Sequence, residues 1–190
     1  MSKETTIVGV AGLIIGFLLG VLVGGKFMAG TGGVASQQAA QQGGAVLPNP
    51  GQTAARIAEL EQLTARDPKN LQAWITLGND YFDANQYQKS VQAYAKALEL
   101  DPNNPNVLTD QGVMFRALGF YDRAVSNFEK AHQLDPKHLQ SLYNIGIIYA
   151  VDLKQPAKAR QVFESLLLKD QTSDLARQAR EMIQQLSAGK

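Results

Sequence analysis

The chain has 190 residues, 45% of them hydrophobic and 18% charged, with Lys+Arg 18 against Asp+Glu 17 for a net charge of +1. That composition allows a buried core and excludes both an acidic disordered chain and a nucleic-acid binder that works through a basic surface. The absence of cysteine removes disulfides, thiolate metal sites, covalently attached haem and thiol catalysis.

From Thr5 to Gly25 the run TTIVGVAGLIIGFLLGVLVGG carries no charge between Glu4 and Lys26. A bilayer core of about 30 Å needs roughly 20 helical residues, so residues 1–25 are expected to form a single transmembrane anchor. The run outlasts the apolar stretch of about 7–15 residues in a cleaved leader, and the nearest cleavage candidate, Gly33-Val34-Ala35, lies well beyond it. Gly12, Gly16, Gly20 and Gly24 recur every four residues. They lay a small-residue face along that helix, on which two copies can pack as a homodimer. Lys3 and Lys26 stand on opposite sides, which leaves the positive-inside rule nearly silent. The expected orientation is a short internal N-terminus with the remainder exported. Residues 26–52 are rich in Gly, Gln and Ala, without charge between Lys26 and Arg56. They read as a flexible tether.

Residues 53–190 contain an internal repeat. Trp74, Leu108 and Leu142 stand 34 residues apart, as do Leu77, Gln111 and Ile145; Gly78, Gly112 and Gly146; and Tyr81, Phe115 and Tyr149. Pro68, Pro102 and Pro136 keep the interval, each after an Asp. Tyr87 and Tyr121, Ser90 and Ala124, Tyr94 and Phe128, and Ala97 and Ala131 keep it too. The pattern predicts helices at 71–84, 87–100, 105–118, 121–134, 139–152 and 156–169. Each Asp-Pro step ends a helix because the residue before proline avoids α conformation. Asn70 and Asn104 stand as N-caps, with Pro105 at a first helical position. In the third copy Phe163 follows Phe128 by 35 residues, so one extra residue is expected in the loop near Val151–Gln155. Thr53–Arg66, with Ile57, Leu60 and Leu63, reads as the second helix of an incomplete leading unit. Leu175, Ala179, Met182, Ile183 and Leu186 mark a capping helix at about 173–187.

The arrangement Trp74-x2-Leu77-Gly78-x2-Tyr81, Ser90-x3-Tyr94, Pro102, repeated as Leu108-x2-Gln111-Gly112-x2-Phe115, Ala124-x3-Phe128, Pro136, closely resembles the tetratricopeptide repeat family. The resemblance implies an all-α solenoid of about three repeats (71–104, 105–138 and 139–172), with a leading half-repeat and a capping helix, behind the membrane anchor. It also implies a protein or peptide partner held in a concave groove lined by the first helix of each pair. Carried over position by position, the groove comprises Gln72, Ile75, Asn79 and Phe82; Asn106, Thr109, Val113 and Arg116; and Gln140, Tyr143, Asn144 and Ile147. Arg116 is the foremost candidate for a ligand contact. Family members that grip a C-terminal carboxylate do so with cations; here Asn79 matches one clamp position, but Ile75, Val113, Gln140 and Asn144 occupy the others, so that mode is not expected.

No cofactor, metal, nucleic acid or catalytic constellation is expected. His132 and His138 flank a helix stop and do not share a helix face. Asp80, Asp83 and Asp110 read as surface carboxylates, and Trp74 as core. The architecture resembles bacterial inner-membrane members of the family with an exported, periplasmic repeat domain: factors that hold apocytochromes during c-type cytochrome maturation, and an accessory subunit of the secretion translocon. The alternative is a structural protein that self-associates through its glycine-lined helix and the solenoid ends.

Overall fold

A computed structural model describes residues 50–188. The expected anchor at 1–25, with Gly12, Gly16, Gly20 and Gly24, and the tether up to residue 49 lie outside the described residues. Among the described residues there is no strand, and no helix is long and apolar enough to cross a membrane. Eight α-helices follow in chain order: α1 (Pro50–Arg66), α2 (Leu71–Asp83), α3 (Tyr87–Leu100), α4 (Pro105–Ala117), α5 (Tyr121–Leu134), α6 (Leu139–Ile147), α7 (Pro156–Lys169) and α8 (Asp174–Ala188). A π-helical turn, Ile148–Asp152, continues α6. Helix α1 takes in positions 50–52, which the sequence assigns to the tether.

Local chemistry sets most of these boundaries. The side chains of Asn70 and Asn104 accept from the amides of Ala73 (3.0 Å) and Val107 (3.2 Å), capping α2 and α4. Pro105 and Pro156 open α4 and α7, where a missing N–H costs nothing. Asp101 and Asp135 end α3 and α5 just before proline. Inside each hairpin the chain turns on a residue with positive φ: Asn85 (57°), Gly119 (79°) and Lys154 (52°).

Consecutive helices pack in order as α2/α3, α4/α5 and α6/α7 hairpins. The first helices also meet across hairpins, α4 with α6 and α6 with α8, and the second helices approach one another less. Thus α2, α4, α6 and α8 form the inner layer and α3, α5 and α7 the outer one. This is the all-helical repeat solenoid that the 34-residue interval predicts. Closure of each hairpin depends on glycine. A Cβ on Gly78 would lie 2.6 Å from the Tyr94 ring, one on Gly112 2.6 Å from Phe128, and one on Gly146 would collide with Phe163. The small residues Ser90, Ala124 and Ala159 are fully buried beside them, and the Ser90 hydroxyl donates to the Gly78 carbonyl at 2.8 Å.

Both ends differ in detail from the sequence expectation. On α1, Ile57 is buried, but Leu63 is 41% exposed, and Thr53 and Thr64 are buried instead. The reason is that no first helix covers that side of α1 among the described residues. On α8 the most buried residues are Ala176 and Ala179. Met182, Ile183 and Leu186 lie partly buried over the Ala159–Phe163–Leu166 cluster.

The extra residue of the third repeat lies inside the helix, not in the loop near Val151–Gln155. The Leu153 amide donates to the Ile148 carbonyl at 2.9 Å, five residues back, whereas Ala84 and Leu118 reach four residues back, to Asp80 and Met114. A π turn absorbs one residue. It does so here because the left-handed turn residue, Lys154, must keep its place relative to α7.

Candidate functional site

Helix α4 is central, and its neighbours bury Val107, Leu108, Thr109, Gln111, Gly112, Met114 and Phe115. Its open stripe is Asn106, Asp110, Val113, Arg116 and Ala117, one face of the inner layer. Gln72, Ile75, Asn79 and Phe82 continue that face on α2, and Gln140, Tyr143, Asn144 and Ile147 on α6. Of these predicted residues, Gln72, Asn79, Phe82, Asn106 and Gln140 are exposed; Ile75, Val113, Arg116, Tyr143, Asn144 and Ile147 are half-buried.

Thr109 departs from the expectation. It is buried, and its hydroxyl turns back to the Pro105 carbonyl at 2.8 Å. Asp110, one residue on, takes its place on the open face. The family register assigns the face by position alone, and Thr109 is buried where its counterparts Ile75 and Tyr143 are half-buried. A helical stripe drawn through Asn106 and Val113 finds Asp110, because residues three and four apart share a face.

Most of the polar groups here are already engaged. The Tyr94 hydroxyl donates to Asn79 Oδ1 at 2.7 Å, leaving the Asn79 NH2 as donor. His138, half-buried at the start of α6, meets Asn106 Oδ1 at 3.0 Å and Ser141 Oγ at 2.8 Å. Gln140 donates to Asn144 at 3.3 Å. Arg116 is held by Asp152 of the π turn, Nε to Oδ2 at 2.5 Å, so it presents an ion pair and not a free cation. Phe82 lies 6.2 Å from the Tyr87 ring, and Tyr143 lies 5.7 Å from Phe163. Burial pushes the Tyr94 and Tyr143 hydroxyls above the usual range, so both remain neutral donors. Amide donors and acceptors thus alternate with Ile75, Phe82, Val113 and Tyr143, a surface able to bond a peptide backbone and pack its side chains.

Of the three acidic residues, Asp83 is exposed as the sequence reading has it, Asp110 is half-buried, and Asp80 differs outright. Asp80 is 1% exposed, not a surface group, and Arg56 of α1 grips it with two nitrogens, Nε at 2.5 Å from Oδ2. Nothing in the spacing revealed this pair; its one signal is that Met114 and Ile148 are apolar at the matching positions. Trp74 is half-buried, donates its indole N–H to the Pro68 carbonyl at 2.9 Å, and borders an outer-layer furrow of about 520 Å³ with Glu61, Leu77, Tyr81 and Lys89. Among the described residues no three metal-ligating side chains converge.

The tetratricopeptide repeat pattern matches residues 71–104 and, in a second form, 115–187. Over 54 residues the chain is 39% identical to the small glutamine-rich tetratricopeptide repeat-containing protein 2 of Mycosarcoma maydis; that match spans 28% of this chain and only 15% of the relative. Solved structures of similar fold include MamA (TM-score 0.64, 18% identity, 73% of this chain and 79% of that one). A tetratricopeptide repeat protein from Parabacteroides merdae is also similar (0.63, 20%, 73% and 55%). So is the TPR2B domain of yeast Sti1 in its pHsp70 complex (0.58, 17%, 63% and 98%).

Proposed function

The chain belongs to the tetratricopeptide repeat family, and from that premise we propose that it is a membrane-tethered scaffold, without catalytic activity or cofactor, that holds a segment of another polypeptide along the inner face of α2, α4 and α6. The observation that carries this reading is the stripe from Gln72 to Ile147, in which every predicted residue except Thr109 keeps some exposure. The Sti1 domain, solved as a complex with pHsp70, supports polypeptide as the class of ligand. The uncharged run at 5–25 supports a single-pass anchor in a bacterial inner membrane, with the repeats on the periplasmic side. In that setting the scaffold serves assembly or maturation of a membrane or periplasmic complex, c-type cytochrome maturation being the pathway that the architecture suggests. Self-association through the solenoid ends has less support. Where a further helix would stack, α8 carries Arg177, Arg180, Glu181 and Gln184, all exposed.

The test is binding of short random peptides to the full chain in mild detergent. The unaltered protein is expected to retain peptides, and Phe82→Ala with Tyr143→Ala to lose them. Equal retention by both, or retention by neither, contradicts the reading.

A further inference from the structure

A carboxylate withdrawn from water needs a cation or several donors to offset its lost hydration. Two buried or half-buried aspartates on the inner-layer segments have one: Asp80 has Arg56, and Asp152 has Arg116. Asp110 does not. It is half-buried on the open stripe of α4, and among the described residues its carboxylate has neither an ion pair nor a hydrogen bond. The His138 imidazole and the Tyr94 phenol act on it electrostatically, and both are already committed, the imidazole to Asn106 and Ser141 and the hydroxyl to Asn79. Burial holds the Asp110 carboxyl above its ordinary range, opposed by His138. On the α2 side stands the Asn79–Tyr94 pair, and one turn along α4 stands Val113, a polar and an apolar wall for an incoming chain.

We propose that the inner face receives a polypeptide segment bearing a Lys or Arg side chain, whose cation pairs with Asp110. This rests on the reading of that face as a peptide-binding surface and adds the charge of the partner. The argument is charge complementarity. A half-withdrawn acid lacks the partner that its two counterparts have, on a face where the one guanidinium, Arg116, is neutralised by Asp152. An ammonium or guanidinium from outside would form a charge-assisted bond in a partly dehydrated place, where such bonds are strongest.

The experiment is selection of short random peptides, acetylated and amidated, by the full chain in mild detergent. Three proteins are compared: unaltered, Asp110→Asn, and Asp122→Asn, which removes the same charge from the exposed face of α5. The unaltered protein and Asp122→Asn are expected to enrich peptides with Lys or Arg at one fixed position. Asp110→Asn is expected to lose that preference and to bind the enriched peptides about tenfold more weakly or worse. It should also unfold at the same or a higher temperature, because it removes an unpaired acid; a merely structural role for Asp110 predicts a lower one. Peptides retained without a basic preference, or the same preference in Asp110→Asn, overturn this inference and leave the peptide-binding reading standing. No retained peptide at all overturns both, as it would were the face covered by a second copy or by residues 1–49.

Discussion

A Cβ on Gly112 would meet Cε1 of Phe128 at 2.6 Å, and the ring is fully buried, with no room to retreat. Gly112→Ala is therefore expected to destabilise the fold by about 1–3 kcal/mol, the cost of overpacking a filled core, measured by urea unfolding. His132 gives a pH-dependent counterpart. Its Nδ1 is buried without a partner, and burial, helped by Lys169, lowers its pKa below the ordinary value against the opposing pull of the His138 backbone and Asp135. A histidine whose folded pKa is depressed binds its proton more readily when unfolded, so stability is lost as pH falls through the ordinary value near 6.5. The melting temperature is expected to drop between neutral pH and about pH 5.5, and the drop to shrink in His132→Gln. A flat profile in the unaltered protein contradicts this. The glycines were legible because their spacing repeats. Asp80 and Asp110 were not, because their meaning depends on which neighbour supplies a cation, and a single sequence does not record that.

Helix α1 shows how an element can be legible in type and not in attachment. Ile57 and Leu60 mark its helical period, but Arg56, at the position where later units have Ser90, Ala124 and Ala159, latches it to α2 through Asp80. Arg56→Ala leaves that aspartate buried and unpaired, and is expected to cost roughly 1–3 kcal/mol, with α1 amides losing hydrogen-exchange protection first. Uniform loss across α1–α8 would contradict a local latch. The π turn is the converse case. Counting residues gave the insertion, while its position followed from the need to keep Lys154 in the left-handed turn that Asn85 and Gly119 occupy in the earlier hairpins. A lysine there carries backbone strain that glycine lacks. Lys154→Gly is expected to stabilise the fold by about 0.5–1 kcal/mol, read as a higher urea midpoint at unchanged slope.

Across residues 50–188, helices of the inner layer carry the open stripe and helices of the outer layer carry the supporting aromatics Tyr94, Phe128 and Phe163. The layering was legible from the interval alone, since each unit is one hairpin that buries its apolar face only by stacking. Which positions of the inner helices stay open was legible on α2 and α6 and failed on α4 at Thr109, which is buried where its counterparts Ile75 and Tyr143 are half-buried. The same layering allows a direct test. A photocrosslinking residue placed at Val113, on the inner face, or at Glu129, exposed on α5, reports which face meets another chain. In cells making the full chain, polypeptide adducts are expected at Val113, reduced by Tyr143→Ala, and none at Glu129; adducts at Glu129 with none at Val113 would contradict the account.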